Sequence, residues 1–163
     1  MKTLLIVFHS RTGGTKAMAE AAARGASDEP EVQVHLVSAA DARADDVLAA
    51  DGYIFATPEN LAAMAGLMKD FFDRTYYPVL DRINGRPYAV LICAGSDGEN
   101  AARQVVRIAT GWRLRLVAAP LIVRVNAQTP EAIQAPKRID PFDISRCFDV
   151  GAALAGGLAA GIF

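Results

Sequence analysis

The sequence predicts a doubly wound α/β fold with a five-stranded parallel sheet in the strand order 2-1-3-4-5. Short apolar runs alternate with segments of helical periodicity, as in parallel sheets joined by crossover helices. The first run, Leu4 to Phe8, is continuously apolar, which is typical of a strand buried on both faces. Polar residues alternate with apolar ones from Val32 to Leu36, and Pro120 interrupts the fifth run. Both features suit edge strands, so the second and fifth strands are expected at the two edges.

The remaining elements follow from the same patterns. The other predicted strands are Tyr53 to Ala56, Tyr88 to Ala94 and Leu114 to Val125. Helices are predicted at Thr15 to Arg24, Arg43 to Ala49, Leu61 to Phe72, Ala101 to Ala109 and Asp143 to Ala160. The third helix is inferred from spacings of three and four between Leu61, Met64, Met68, Phe71 and Phe72. A loop from Asn126 to Pro141, with one helical turn near Glu131, is predicted before the last helix.

Length and composition narrow the range of functions. The 163 residues predict one domain, 1–163, and its 17 basic and 18 acidic residues favour neither nucleic acid nor a membrane surface as a partner. The apolar run from Val150 to Phe163 is shorter than the roughly 20 residues that span a bilayer. Cys93 and Cys147 lack metal-ligand spacing and are expected to be reduced and buried, so no metal site is predicted. A soluble, cytoplasmic protein is the expectation.

In this topology ligands bind beyond the carboxyl ends of the strands, near the switch point between strands 1 and 3. The loop after strand 1 suits a phosphate group. Its candidate binding residues are Ser10, Arg11, Thr12, Gly13, Gly14 and Thr15. They combine hydroxyl donors with glycines that let the backbone approach an anion, at the positive end of a helix. An ordinary helix cap would explain one hydroxyl only. Arg11 has two open interpretations, a contact to the phosphate or exposure to solvent.

The motif in this loop is S-x-T-G-x-T, whereas the Walker and G-x-G-x-x-G patterns are absent. It resembles the loop with which the flavodoxin superfamily wraps the terminal phosphate of flavin mononucleotide (FMN). The resemblance implies a flavodoxin-like three-layer sandwich with FMN as its cofactor.

The loop after strand 3 is the second candidate. Its predicted flavin-binding residues are Thr57, Pro58, Glu59, Asn60, Leu61 and Ala62. The stretch is similar to the FMN-dependent NAD(P)H:quinone oxidoreductases of the tryptophan-repressor-binding-protein type and to NADPH-dependent FMN reductases. The segments that match are Met64 to Gly66 and Lys69 to Arg74. The match departs at Ala62-Ala63, where the quinone reductase type commonly has Gly-Asn beside the flavin.

The loop after strand 4 is expected to flank the flavin ring on the opposite side. Its candidate residues are Ala94, Gly95, Ser96, Asp97 and Gly98, and the alternative is a generic turn with Asp97 as helix cap. Neither ring-flanking loop contains an aromatic residue. One face of a flavin held there would be open to a nicotinamide. No catalytic side chain is predicted, because the flavin itself would carry the redox chemistry.

The leading hypothesis is an oxidoreductase that passes electrons from NADPH or NADH through FMN to a quinone or another small acceptor. The alternatives are a flavodoxin-type carrier between proteins, which the balanced charge disfavours, and a module without cofactor. Larger relatives of the oxidoreductase type form dimers or tetramers, so the resemblance implies a homodimer or homotetramer. Four arginines could bind the 2′-phosphate of NADPH or could simply be solvated: Arg103, Arg107, Arg113 and Arg115.

Overall fold

Seven strands and six helices alternate along the chain in a computed structural model, which describes residues 1–163. The strands are β1 (Lys2–Phe8), β2 (Val32–Ser38), β3 (Gly52–Asn60), β4 (Ala63–Met64), β5 (Pro87–Ala94), β6 (Arg115–Leu116) and β7 (Leu121–Arg124). The helices are α1 (Gly14–Ser27), α2 (Ala44–Ala49), α3 (Gly66–Val79), α4 (Glu99–Gly111), α5 (Pro130–Gln134) and α6 (Pro141–Ala159).

The sheet has the predicted topology. Its strand order is β2-β1-β3-β5-β6, and β7 pairs with β5 beyond β6. Each of these pairings is parallel. Since β6 and β7 together form the predicted fifth strand, the order 2-1-3-4-5 is confirmed, with the second and fifth strands at the edges.

Each face of the sheet carries its own apolar core. Successive residues of β3 alternate between them, with Tyr53 and Phe55 in one cluster and Ile54 and Ala56 in the other. Helices α2, α3 and α4 cover the first face, and α1 and α6 cover the second. The arrangement is the predicted three-layer sandwich, because every inner strand is apolar on both sides.

The prediction of one helix from Leu61 to Phe72 is wrong over its first five residues. Strand β3 continues past the sheet to Asn60, and β4 returns antiparallel to it. Leu61 and Ala62 form the turn between them, with φ values of +50° and +62°. Positive φ at both central positions is the conformation of a type I′ hairpin turn. Met64 is therefore buried as a strand residue, and α3 begins only at Gly66.

The predicted break at Pro120 is a bulge in the edge strand. Tyr88 pairs with Leu116, and Leu91 pairs with Leu121. Four residues, 117–120, thus face two on β5, and the extra residues leave the ladder. No helix in the chain combines the length and the apolar character that crossing a bilayer would require.

Candidate functional site

The carboxyl edge of the sheet brings the three candidate loops together. The amide of His9, just after β1, donates to the carbonyl oxygen of Ala56 on β3 at 3.0 Å. On the other side of β3, Pro58 pairs with Cys93 near the end of β5. The loops after these three strands therefore leave the sheet side by side, as the switch-point argument predicts.

The first of them, the phosphate loop (residues 10–15), leads directly into α1. The Ser10 hydroxyl accepts a hydrogen bond from the Gly13 amide at 3.1 Å. Gly13 has φ +94°, a left-handed conformation that favours glycine. No side chain caps α1, and its first turn contains no acidic residue. The positive end of the helix dipole and its first amide groups are thus available to an anion.

The side chains of the phosphate loop differ in exposure. Thr15 is buried, Ser10 and Thr12 are half-buried, and Arg11 is exposed. Burial, together with the charge of Arg11, lowers the pKa of His9 below its usual value. The imidazole of His9 is therefore neutral at physiological pH, and Arg11 supplies the formal positive charge of this loop.

Two residues from later in the chain, Cys93 and Lys137, pack against the phosphate loop. A Cβ placed on Gly14 would lie 2.7 Å from Sγ of Cys93 and 3.1 Å from Cβ of Lys137. The amide of Lys137 donates to the carbonyl oxygen of Thr12 at 2.8 Å. Only glycine fits at position 14 without a shift of its neighbours.

The second loop is the β3–β4 hairpin (residues 57–64). Thr57 is buried, and its hydroxyl accepts from the Ala65 amide and donates to the carbonyl oxygen of Pro58, both at 3.0 Å. The Thr57 side chain therefore shapes the loop from inside. Glu59 carries a buried carboxylate oxygen, Oε2, that has no hydrogen-bond partner. A buried acceptor of this kind is free to accept a hydrogen bond from a ligand.

Helix α4 holds the hairpin in place through two side chains that the sequence analysis did not single out. The Asn100 side-chain amide donates to the carbonyl oxygen of Ala62 at 2.5 Å. The Met64 amide donates to Oε1 of Gln104 at 2.9 Å. Their separation of four residues places both on one side of the helix, which is the only signal the sequence carries for this role.

The third loop, residues 94–98, joins β5 to α4. Ser96 and Asp97 are exposed, and Oδ1 of Asp97 accepts from the Glu99 amide at 3.3 Å. The N-cap residue of α4 is Gly98, so Asp97 is not the helix cap that the alternative interpretation expected. Gly98 has φ +92°, and a Cβ there would lie 2.6 Å from Cγ2 of Ile122. Packing against β7 thus fixes the base of this loop while its polar tip faces solvent.

The residues present fit FMN. An uncapped helix and three hydroxyl-bearing residues suit the phosphate dianion. The unpartnered Glu59 oxygen suits an N–H group of the flavin ring. A cavity away from the three loops, of about 240 Å³ between the β6–β7 bulge and α6, is lined by seven hydrophobic residues and Asp149. It lacks the donors that a phosphate needs.

Residues 38–128 match the family model for NADPH-dependent FMN reductases. The chain belongs to the NADPH-dependent FMN reductase family. The match includes the second and third loops, so the resemblance seen in the sequence is confirmed.

Two relatives align with this family member over part of its length. A protein named flavodoxin from Aquifex aeolicus is 34% identical over 98 residues, which are 60% of this chain and 53% of the relative. An NAD(P)H dehydrogenase (quinone) from Acidithiobacillus ferrooxidans is 33% identical over 95 residues, covering 46% of this chain and 48% of the relative. The alignments thus span about half the length of each relative.

Among solved structures, a flavodoxin, WrbA-like protein from Agrobacterium tumefaciens is similar to this reductase-family chain with a TM-score of 0.75. The two are 21% identical, and the alignment covers 99% of each chain. This similarity confirms the flavodoxin-like fold.

Proposed function

We propose that this protein holds FMN at the carboxyl edge of its sheet and uses NADPH or NADH to reduce a quinone or another small acceptor. The observation that carries the proposal is the convergence of three elements there. They are the uncapped start of α1, the unpartnered Glu59 oxygen, and two ring-flanking loops without an aromatic residue.

The proposed roles follow from the chemistry of each loop. Residues 10–15 would hold the phosphate with backbone amides and hydroxyls, and Arg11 would add charge. Residues 57–62 and 94–98 would flank the ring with backbone groups, and Glu59 would accept a ring N–H. FMN, when bound, accepts a hydride from a nicotinamide and returns the electrons to an acceptor. Overall, NAD(P)H, a proton and a quinone become NAD(P)⁺ and a hydroquinone.

Titration of the protein with FMN, followed by assays of NADH and NADPH oxidation with a benzoquinone, tests the proposal. We expect a yellow complex that oxidises at least one of the two nucleotides. Ser10→Ala should weaken FMN binding, because the hydroxyl that holds the Gly13 amide is lost. Ser27→Ala removes an exposed hydroxyl on α1 and is the matched control. A flavin complex that oxidises neither nucleotide with any quinone would disprove the oxidoreductase function.

A carrier of electrons between proteins is the second candidate, and the Aquifex aeolicus relative named flavodoxin favours it. The formal net charge of −1 argues against electrostatic docking to a strongly charged partner. A carrier would be reduced only through a separate reductase protein. Direct oxidation of NADPH or NADH by the purified flavin complex would exclude this alternative.

A further inference from the structure

An exposed face of α4 carries two arginines without acidic partners. Arg103 and Arg107 lie four residues apart, and neither forms an ion pair. The one acidic residue of the helix, Glu99, pairs instead with Arg124 at 3.0 Å. Like charges at this spacing repel each other, so the pair favours an anion between them.

These arginines lie on an open surface patch whose lining residues all belong to α4. Its other lining residues are Asn100, Gln104 and Val106. Asn100 and Gln104 are the side chains that hold the β3–β4 hairpin, so one end of the patch lies at the candidate flavin site. Arg103 also donates to Oδ1 of Asn100 at 2.6 Å, which places its guanidinium beside a residue that holds the hairpin.

Two other arginines that the sequence analysis raised are already engaged. Arg113 pairs with Asp81 at 2.9 Å. The guanidinium of Arg115 lies over the Phe163 ring, 5.6 Å from its centroid. The structure therefore reduces the set of four arginines to the two on α4.

We propose that Arg103 and Arg107 bind the 2′-phosphate of NADPH and so give this protein a preference for NADPH over NADH. The inference rests on the proposed function, since it concerns the nucleotide that function consumes. From Asn100 to Arg107 the helix rises about 10 Å, away from the carboxyl edge. A dinucleotide with its nicotinamide at the flavin and its adenosine end along α4 would bring its 2′-phosphate toward the two arginines. Arginine suits a phosphate monoester because its planar fork donates two hydrogen bonds at once.

Calorimetric titration of the FMN-loaded protein with adenosine 2′,5′-bisphosphate and with AMP tests the site without any redox step. The two probes differ only in the 2′-phosphate. We expect the bisphosphate to bind about tenfold or more tightly than AMP, given charge-assisted hydrogen bonds to the extra phosphate. The double variant Arg103→Gln/Arg107→Gln should remove that difference. Arg24→Gln, which alters an exposed arginine on α1, should preserve it.

Steady-state kinetics adds a second readout. The double variant should raise KM for NADPH about tenfold or more while kcat and the parameters for NADH stay unchanged. Equal binding of the two probes by the wild-type protein would overturn the inference. An affinity difference between the two probes that persists in the double variant would also overturn it. The same holds if inorganic phosphate competes with NADPH as strongly as the bisphosphate does. A protein that oxidises both nucleotides with equal efficiency would refute the inference and leave the proposed function standing.

Discussion

Gly14 of the phosphate loop lies directly on Cys93 of β5, so that a Cβ at position 14 would come within 2.7 Å of the Cys93 Sγ. The contact joins the loop after the first strand to the end of a strand about 80 residues later in the chain. Position 14 thus sets the height of the proposed phosphate site above the sheet.

Gly14→Ala should weaken FMN binding about tenfold or more, because the loop must shift and lose hydrogen bonds to the phosphate. Fluorescence titration of FMN measures the change. Gly66→Ala is the matched control, since a Cβ there meets nothing within 4 Å. The double variant Gly14→Ala/Cys93→Ala should recover much of the affinity. Failure of that rescue would show that the contact with Sγ is not the cause.

Glu59→Met should stabilise the FMN-free protein by about 1 kcal/mol and weaken FMN binding about tenfold. The first effect follows from removal of a buried acceptor without a donor, and the second from loss of a partner for the ring. Urea unfolding of the FMN-free protein and flavin titration measure the two effects. Glu31→Met, at an exposed position, should change neither the stability of the FMN-free protein nor its affinity for FMN. If Glu59→Met instead destabilises the FMN-free protein as much as it weakens FMN binding, the role of Glu59 is purely structural.

The turn of the β3–β4 hairpin should become more stable when it carries residues suited to positive φ. Leu61→Asn/Ala62→Gly creates the preferred pair for a type I′ turn and should stabilise the protein by about 1 kcal/mol. The unfolding temperature should rise by about 2–4 °C, measurable by calorimetry. Exchange of Leu61 alone for Ala keeps the β-carbon strain and serves as control. An unchanged or lower unfolding temperature in the double variant would contradict the strained turn.

Stability should fall at alkaline pH because of the two buried thiols. Burial raises the pKa of Cys93 to about 11 and that of Cys147 to about 12. In the unfolded chain thiols ionise near pH 9, so above that pH the unfolded state binds fewer protons. Each thiol then stabilises the fold fully below about pH 9 and loses that contribution as the pH rises toward the pKa of that thiol in the folded protein.

The expected slope is up to about 1.4 kcal/mol per pH unit for each thiol. Urea unfolding at pH 8.5, 9.5 and 10.5 measures it. Cys147→Ala should make the decline shallower than in the wild-type protein. A decline of equal steepness in both would mean that Cys147 does not contribute.

Periodicity predicted most of the fold because buried strands and amphipathic helices have distinct spacings. The failure at Leu61 and Met64 has a physical cause. A buried strand residue at 64 happened to stand at helical spacing from the true helix residues Met68 and Phe71, and two non-glycine residues adopt positive φ in the turn. Long-range hydrogen bonds, such as that from Asn100 to Ala62, fix this geometry and leave no local pattern.

The sequence predicts a candidate site only where one loop carries the whole signal. Ser10 and Gly13 predict an anion site through residue type alone, whereas the unpartnered oxygen of Glu59 depends on the residues that surround it in the fold. The role of Gln104 likewise arises only when α4 packs against β4. Assignments of individual flavin contacts stay predictions.

The bond between the Lys137 amide and the Thr12 carbonyl has a consequence for protein synthesis. Thr12 is translated well before Lys137, which follows it by 125 residues in the chain. We expect a nascent chain arrested before Lys137 to retain no FMN on pull-down, and one whose exposed part includes all of α6 to load promptly. Cofactor uptake would then follow translation and report that the carboxy-terminal part of the chain has folded.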